Sequence, residues 1–303
     1  MSARAANSSI ADVGVVVVTY NALPWLERAL EGVRGVDTIV VDNGSTDGTV
    51  AFVQERFPDV RVLEQDNRGL AAGWNTGVEA TSTPYVFLLN ADAWLAGDVL
   101  DRLVAFAEAH PDAAVVGPRL LNVDGTLQRS VRGFPTPWRL ATEYFFLRKL
   151  APGSRALNAF YAGGFDHDTP RRVESVKGAA LLVRRDAIAQ VGPADEGFFF
   201  FSEETDWCYR FRAAGWTVWF CPEGDVVHVG GAAHAGRLYT EQLRGHLRFL
   251  WKHRGAADAE RARRLLIASL RLRGLMFRGA RGRAYREGAR FLASGSVPAL
   301  LER

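Results

Sequence analysis

Four short apolar runs, each followed by polar residues, constrain the fold of this chain more than any other feature. They cover residues 13–19, 38–41, 60–63 and 85–89. Apart from Arg61, these runs contain no charged residue, and short runs of this kind are typical of strands buried on both faces of a parallel sheet. Segments suited to helices separate the runs, with short connections. This order predicts a β-α-β-α-β-α-β unit with right-handed crossovers, that is, a doubly wound α/β sheet.

The polar residues after these runs are expected to meet at one edge of the sheet. Open α/β sheets bind their ligands outside the carboxyl ends of the strands. Asp92, two positions after Asn90, is therefore a candidate site residue. Taken alone, Asn90 and Asp92 are equally compatible with a turn that caps the next helix. The four polar ends are Thr19-Tyr20-Asn21, Asp42-Asn43, residues 65–68 and Asn90-Ala91-Asp92.

The first strand is followed by neither a Walker A sequence nor a G-x-G-x-x-G turn. A nucleotide bound at this edge would therefore not rest in a glycine-rich phosphate cradle. Side chains would bind it, and a divalent cation would be needed between the acidic edge and a diphosphate.

A second acidic segment begins where Ser202 precedes Glu203, Glu204 and Asp206. Ser202 is expected to cap a helix whose first turn carries these acids. Asp206 and Arg210 are four residues apart and are expected to form an ion pair. Capping and pairing do not require both glutamates, so one of them is free to face a cleft. Upstream, residues 122–126 predict a hairpin turn, and residues 133–172 predict a loop with one helix at about 138–149.

Charge is unevenly distributed along the chain. Residues 244–290 contain 14 basic and 3 acidic residues, a net charge of +11, whereas the whole chain has +3. A basic extension on an acidic body favours an anionic partner surface such as lipid headgroups; a solvated helical surface is the alternative. Arginines spaced by seven residues are expected on one helix face and apolar residues on another. These sets are Arg264, Arg271 and Arg278, and Leu266, Leu270 and Phe277.

Composition indicates a globular cytoplasmic protein. The chain of 303 residues is 48% hydrophobic and 23% charged. No run approaches the ~18 apolar residues of a membrane span, and no signal-peptide pattern opens the chain. Cys208 and Cys221 are too few for a disulfide framework, so we expect buried thiols.

Seven motifs occur in a fixed order, and the ordered set resembles the GT-A glycosyltransferases of family 2, especially the bacterial rhamnosyltransferase-like branch. The resemblance covers about residues 14–235. Each motif is weak alone, whereas the set is specific. The motifs are residues 15–21, residues 41–48, Asn67-Arg68-Gly69 with Gly73, Asn75 and Gly77, residues 88–92, Gly178-Ala179, residues 202–206 with Arg210, and His228.

The resemblance implies a Rossmann-like mixed sheet with helices on both faces. The GT-A catalytic domain would span residues 1–237, with a donor-binding half at about 13–117 and an acceptor-binding, catalytic half at about 118–237. Residues 238–303 would form a basic helical extension.

A nucleoside diphosphate sugar is the ligand that the resemblance implies for the sheet edge. Asp42 would receive the base, and Arg68 would lie near the diphosphate or the base. The Asp-x-Asp motif of the family binds Mg²⁺ or Mn²⁺; here Asn90 replaces its first acid, Asp92 is the expected ligand, and His228 would complete the shell. Without the resemblance, a lone histidine is more often structural. The donor-binding set is Thr19, Tyr20, Asn21, Asp42, Asn43, Ser45, Arg68, Gly69, Asn75, Asn90, Ala91 and Asp92.

An inverting transfer requires one base at the acceptor hydroxyl. Glu204 matches the family's base, and Glu203 is the second choice. Residues 133–172 and the basic extension are further candidates for the acceptor side. The acceptor-side set is Gly178, Ala179, Trp207 and Arg210.

The sequence therefore predicts an inverting, metal-dependent glycosyltransferase, with rhamnose from dTDP-rhamnose as the favoured donor and a cell-surface glycan or polyprenyl-linked acceptor. UDP-hexose and UDP-galactofuranose are alternative donors. The expected setting is cytoplasmic, with peripheral contact to the inner membrane through the extension. Packing of the extension on the catalytic domain or on a dimer partner is the equal alternative. A nucleic-acid partner is not expected, and the oligomeric state stays open.

A second hypothesis is an inactive nucleotide-sugar-binding or scaffold protein. Asn90 in the metal motif supports it, and the retained Asp92, Glu204 and His228 oppose it. A nucleotidyltransferase is disfavoured because no glycine-rich basic loop follows the first strand.

Overall fold

The structure, a computed structural model, describes residues 10–230 and 238–302, and four parallel strands form one half of its central sheet. Strand β1 (Val13–Thr19) lies between β2 (Asp37–Asp42) and β4 (Tyr85–Asn90), and β3 (Arg61–Glu64) pairs with β2. All seven residues of β1 are buried, as the valine run predicts. The connecting helices are α1 (Leu23–Glu31), α2 (Thr49–Arg56) and α3 (Leu70–Glu79).

Antiparallel pairing makes the other half of the sheet mixed, which confirms the predicted fold class. Strand β11 (Ala180–Arg184) runs antiparallel to both β4 and β6 (Ala113–Leu121). Strand β12 (Thr217–His228) is parallel to β6, and β5 (Ala93–Ala96) is antiparallel to β12 at the sheet edge. The order along the sheet is β3-β2-β1-β4-β11-β6-β12-β5.

Short strands extend this half. The predicted turn at residues 122–126 joins β6 to β7 (Leu127–Gln128), with the N–H of Asn122 donating to the carbonyl of Thr126 at 2.8 Å. The remaining short strands are β8 (Val131–Arg132), β9 (Arg171–Arg172), which pairs with β12, and β10 (Ser175–Val176), which pairs with β8.

Helices cover both faces of the sheet. On one face, Val15 and Val17 of β1 pack with α1 and α4 (Val99–Ala109). On the other face, Val16 and Val18 pack with α3 and two later helices, α6 (Arg185–Val191) and α7 (Glu203–Ala213). Because successive strand residues point to opposite faces, the valines of β1 contribute side chains to the cores on both faces of the sheet.

Two glycines let α3 pack closely on β1. A Cβ on Gly73 would lie 2.5 Å from a methyl of Val18, and one on Gly77 would overlap Val16. Their place in the sequence motif is therefore explained by the close approach of helix and sheet. This approach holds the start of α3 at the carboxyl edge of β1.

The C-terminal helices form a third core together with the segment between β8 and β9. Helix α5 (Pro137–Tyr144) packs against α8 (Tyr239–Arg254) and α9 (Ala256–Met276) through a shared apolar cluster. The predicted helix in this segment is confirmed, although it ends at Tyr144. Residues 147–149 and 159–161 form single 3₁₀ turns, and α10 (Gly279–Ala293) and α11 (Val297–Leu301) complete the extension. The part of the chain described here contains no helix long and apolar enough to cross a bilayer.

The heptad spacing of arginines in the extension does not hold over its full length. Leu266 and Leu270 are buried in the third core, as their separate face predicts. Helix α9 ends at Met276, and Phe277 and Arg278 have extended backbones. The prediction that Arg278 shares a helix face with Arg264 and Arg271 is therefore wrong, because a helix break separates them.

Candidate active site

Hydrogen bonds between loops join the carboxyl ends of β1 and β2. The backbone N–H of Asn21 donates to the hydroxyl of Ser45 at 2.9 Å, and the N–H of Thr46 donates to Oδ1 of Asn21 at 2.8 Å. Thr19 and Asp42 are register partners at the last position of the two strands. Tyr20, 47% exposed, lies at the same edge. The polar ends of the strands therefore converge, as the parallel order predicts.

Asp42 has one carboxylate oxygen satisfied by the protein and one without a partner. Its Oδ2 accepts the backbone N–H groups of Gly44 and Ser45 at 3.0 and 2.8 Å. Its Oδ1 is buried and has no hydrogen-bond partner among the described residues. A buried acceptor of this kind is costly unless a ligand donates to it.

Two predicted donor-binding asparagines form hydrogen bonds within the protein that the sequence analysis did not predict. Asn43 donates to the carbonyl of Gly69 at 3.2 Å and accepts from Gln65 at 2.8 Å, which ties β2 to the start of α3. Asn75 exchanges hydrogen bonds of 2.9 Å with the backbone of Ala194 in both directions. Their amides are occupied by protein partners, which leaves their capacity for a ligand small.

Arg68 lies above this edge on the loop before α3. Its guanidinium pairs with Glu196 at 3.0 Å, and more than half of the side chain is exposed. The neighbouring Gly69 has a φ of +101°, and a Cβ there would overlap the carbonyl oxygen of Phe199, which accepts the N–H of Leu70 at 2.7 Å. Glycine at position 69 thus lets the loop before α3 contact Phe199, which lies in the segment that precedes α7.

Asp92 and His228 meet because β5 pairs with the end of β12. The register sets Ala93 opposite His228, so Asp92 lies beside the histidine ring. Asp92 Oδ1 is 3.4 Å from Nε2 of His228, and Asp92 Oδ2 accepts the N–H of Gly230 at 3.2 Å. The sequence analysis did not predict β5, although it named both residues that this strand brings together.

Gln128 fixes the orientation of the His228 ring. Its Nε2 donates to the carbonyl of His228 and to Asn122 Oδ1, both at 2.9 Å, so its Oε1 faces His228 Nδ1 at 2.7 Å. Because Oε1 can only accept, Nδ1 carries the proton and the Nε2 lone pair faces Asp92. Lys177 also donates to this oxygen, at 2.7 Å, and lies 3.2 Å from Nδ1. Sequence reasoning missed both Gln128 and Lys177.

This arrangement fits a divalent cation. Two ligands about 2.1 Å from one octahedral ion are about 3.0 Å apart, and farther apart at wider angles, so the 3.4 Å separation suits neighbouring ligands. A carboxylate oxygen and an unprotonated imidazole nitrogen are suitable donors. Within the described ranges, no group of three His, Cys, Asp or Glu residues is placed to hold a metal unaided. Other ligands would have to come from Asn90, water and the diphosphate.

The two glutamates occupy different environments at the start of α7. Glu203 is 3% exposed, and its Oε2 has no hydrogen-bond partner in the described structure. Glu204 keeps partial solvent access and accepts the hydroxyl of Thr205 at 3.1 Å. Burial, and then the charge of Glu204, raises the pKa of Glu203 well above its usual range. Burial also raises the pKa of Glu204. Glu204 is thus the more accessible of two weakened acids.

A left-handed turn precedes this pair. Phe201 and Ser202 have φ values of +73° and +72°. Ser202 occupies the capping position of α7, but its side chain makes no capping hydrogen bond. The predicted cap is therefore wrong in its chemistry, because a capping serine needs an extended backbone to reach the helix N–H groups. Helix α8 supports the turn: a Cβ on Gly245 would lie 2.6 Å from the carbonyl oxygen of Phe201.

Gly178, one of the predicted acceptor-side residues, borders Glu204. A Cβ on Gly178 would lie 3.4 Å from the Cβ of Glu204 and 3.1 Å from Trp74. Ala179 is buried, and its carbonyl accepts the N–H of Asn90 at 3.0 Å. Lys177 interacts electrostatically with both Asp92 and Glu204, and burial lowers its pKa to about 8. The loop at 177–179 therefore connects the Asp92 and Glu204 sides of the site.

Two predicted acceptor-side residues, Trp207 and Arg210, make contacts within the protein. Trp207 is 1% exposed, stacks on Trp74 and donates to the carbonyl of Gly192 at 3.0 Å. Arg210 pairs with Asp206 at 2.8 Å, as predicted, and also donates to the carbonyl of Pro193. Trp207 is therefore not available to an acceptor because it is buried, whereas Arg210 is 20% exposed and has protein partners for its guanidinium.

Asp206 links α7 to the C-terminal extension. Its carboxylate is fully buried and contacts two cationic side chains and one histidine. Besides Arg210, these are Lys252 at 2.8 Å and His253 at 2.7 Å, both from α8. The extension is therefore attached to the helix that carries Glu203 and Glu204.

Comparison with solved structures identifies the architecture. The fold matches GalNAc-T7, solved with UDP, GalNAc and Mn²⁺, with a TM-score of 0.57 and 16% identity over 82% of this chain and 50% of that one. It also matches Staphylococcus aureus TarS 1–349, with a TM-score of 0.50 and 14% identity over 93% of this chain and 90% of that one. The class defined by the fold is that of the GT-A glycosyltransferases.

Sequence comparison assigns the family. Residues 14–167 match the model of Glycosyl transferase family 2, and the chain belongs to this family. It is 31% identical to the N-acetylglucosaminyl-diphospho-decaprenol L-rhamnosyltransferase of Mycobacterium tuberculosis, over 77% of this chain and 80% of that protein. It is 22% identical to the low-salt glycan biosynthesis hexosyltransferase Agl10 of Haloferax volcanii, over 72% of this chain and 67% of that protein. The protein is a glycosyltransferase.

Proposed function

We propose that the protein is an inverting, metal-dependent glycosyltransferase that uses a nucleoside diphosphate sugar. The observation that carries the proposal is the Asp92–His228 pair, 3.4 Å apart, together with the 178–179 loop, which contacts Glu204 through Gly178 and Asn90 through Ala179. Asp92 and His228 would hold Mg²⁺ or Mn²⁺, and Asn90 would lie beside them. Bound there, the cation would neutralise charge on the leaving diphosphate.

Glu204 is the proposed base. It takes the proton of the acceptor hydroxyl as the acceptor oxygen forms a bond to the anomeric carbon. The bond from that carbon to the diphosphate oxygen breaks, and its electron pair leaves with the diphosphate. The raised pKa of Glu204 makes it a stronger base than an exposed glutamate. Glu203 is disfavoured because it is almost completely buried.

The proposed donor position is the edge formed by β1, β2 and β4. The unpartnered Oδ1 of Asp42 suits an imide N–H of a uracil or thymine base. Tyr20, exposed at the end of β1, would contact the nucleoside, and the half-exposed Arg68 would contact the base or diphosphate. Both bases present the same N–H, so this feature favours a dTDP or UDP donor without separating them.

Rhamnose from dTDP-rhamnose is the favoured donor sugar, because the mycobacterial relative is named as a rhamnosyltransferase. The same name supports a polyprenyl-diphosphate-linked acceptor. UDP-hexose and UDP-galactofuranose are the alternative donors.

A donor screen with two substitutions tests the proposal. Thermal shift with nucleotide sugars, with and without Mn²⁺, identifies the donor that stabilises the fold. Glu204→Gln should then lower transfer by about 10²–10⁴-fold while donor binding persists. Asp92→Ala should remove the Mn²⁺-dependent part of the thermal shift. Full transfer by Glu204→Gln would disprove the assignment of the base.

An inactive scaffold is the competing function, and Asn90 in the metal motif favours it. Calorimetry and a product assay on the wild-type protein separate the two. Donor binding without product in the presence of Mn²⁺ and a range of acceptors would support the scaffold and contradict the enzyme.

A further inference from the structure

The last turns of α9 carry an apolar surface that stays exposed in the described structure. Leu272, Leu275 and Met276 are 48%, 85% and 59% exposed. Their spacing of three and four residues puts them on one helix face. Single exposed hydrophobic residues are ordinary, whereas a contiguous group indicates an interaction surface.

These residues are not part of the face that packs α9 into the protein. Leu266 and Leu270 fill that role and are 1% and 0% exposed in the third core. Arg273, between the exposed residues, points inward and donates to the carbonyls of Glu143 and Tyr144, both at 2.7 Å. The orientation of α9 is thus fixed by its inner face, and the exposed apolar face is a consequence of that orientation.

Basic residues without acidic partners flank the apolar group. Arg271 and Arg278 are exposed, and neither has an ion-pair partner in the ranges that the structure describes. By contrast, Arg263 and Arg264 in the first half of the helix both pair with Glu260. Positive charge therefore stays uncompensated at the apolar end of α9.

A second exposed segment reaches the same end of the helix. The ring of Phe146 contacts Phe277 at 6.0 Å, and the Arg273 guanidinium lies 3.9 Å from its centre. Lys149 lies 4.8 Å from the same ring, and Leu150, next in sequence, is 78% exposed. Through the contact of Phe146 with Phe277, Lys149 and Leu150 add a cation and an apolar side chain to the exposed group at the end of α9.

We infer that these residues form a lipid-docking surface for an anionic bilayer. Leucine and methionine side chains would enter the headgroup–acyl boundary, and the arginines and lysine would bind lipid phosphates. A second copy of the chain is a poorer partner, because a two-fold contact would bring the arginines of both copies together. The inference deepens the proposed function, since a lipid-linked acceptor would be presented at the same bilayer. The surface consists of Lys149, Leu150, Arg271, Leu272, Leu275, Met276 and Arg278.

Vesicle co-sedimentation of the full chain tests this inference. The wild-type protein should bind vesicles of 30% phosphatidylglycerol in phosphatidylcholine, bind pure phosphatidylcholine more weakly, and lose affinity as salt increases. Replacing Leu272, Leu275 and Met276 together by serine should weaken binding at least tenfold. Arg271→Gln with Arg278→Gln should weaken binding to anionic vesicles and flatten the salt dependence. Val123→Ser is the control, because Val123 is 57% exposed on the turn between β6 and β7, a different element of the fold.

Each outcome decides the inference. Wild-type protein that stays in the supernatant, or a triple-serine variant that binds like wild type, would overturn it. A triple-serine variant that changes the oligomeric state in light scattering without lipid would overturn it in favour of a second copy. The variants should keep the wild-type melting temperature and the donor-induced thermal shift. Glu204→Gln should still bind vesicles, so loss of docking and loss of transfer are distinguishable failures.

Discussion

Gln128 determines which nitrogen of His228 carries the proton, and Gln128→Ala tests that role. In the wild-type structure its Oε1 accepts the Nδ1 proton at 2.7 Å and leaves the Nε2 lone pair toward Asp92. Without Gln128, the nearest polar group to Nδ1 is Lys177, at 3.2 Å, which can only donate. The proton would then move to Nε2 and hydrogen-bond to Asp92 in place of a metal ion.

The expected cost follows from the loss of one supporting hydrogen bond and the change of tautomer. Removing a group that orients a metal-bound histidine typically lowers metal affinity by about 10–100-fold. This corresponds to about 1.4–2.8 kcal/mol. We expect the upper part of this range, because Lys177 actively favours the wrong tautomer instead of leaving the ring unsupported.

Mn²⁺ binding, measured by the EPR signal of free Mn²⁺ with the nucleoside diphosphate present, provides the assay. Gln190→Ala is the control, since Gln190 also accepts one side-chain hydrogen bond, from Trp216 at 2.8 Å, but lies outside the site. Adding Lys177→Met to Gln128→Ala should recover part of the lost affinity, because the competing donor is then gone. Wild-type affinity in Gln128→Ala, or no recovery in the double variant, would refute the tautomer argument.

Three further outcomes test the packing around the site. Burial opposes ionisation of Asp206, but hydrogen bonds from His253 and Lys252 outweigh this effect and lower its pKa. Asp206 therefore stabilises the fold at pH values above its unfolded pKa of about 3.9. This contribution is lost as the pH falls through the lower pKa of the folded state. Asp206→Asn should cost about 3 kcal/mol at pH 7 in chemical denaturation and weaken that acid dependence. Gly245→Ala should lower kcat more than it raises the donor KM, since its Cβ displaces the turn before Glu204. Burial raises the pKa of Cys208 to about 12, so iodoacetamide at pH 8 should label it only after unfolding, as read by mass spectrometry.

The parallel half of the sheet was predictable because its signal is local. Each strand is a short run of apolar residues, and each carboxyl end is polar, so strand type and edge position can be read within a few neighbouring residues. The convergence of Asn21, Ser45 and Asp42 then follows from parallel order alone. Pairing of Asp206 with Arg210 was predictable for the same reason, since helical spacing fixes it.

Residues whose role depends on distant contacts were misjudged or missed. Trp207 lies on a helix that has protein on more than one side, so its position near the glutamates did not show that its side chain is buried. Gln128 lies on a two-residue strand after a tight turn, and its importance comes from His228, 100 residues away. Its local sequence contains no signal of that contact.

The metal-binding geometry depends on the register of β5 against β12. Both strands reach the site by antiparallel pairing at the sheet edge, and Ala93 opposite His228 is the pairing that sets Asp92 beside the imidazole. A slip of one residue would turn the histidine to the other face of the sheet. Four-residue β5 pairs only weakly by itself, so the hydrogen bonds of Asp92 to Val229 and Gly230 and of Gln128 to His228 are needed to fix this register. Asp92 of the Asn90-Ala91-Asp92 motif would therefore act as a metal ligand only together with a strand pairing formed more than 130 residues later in the chain.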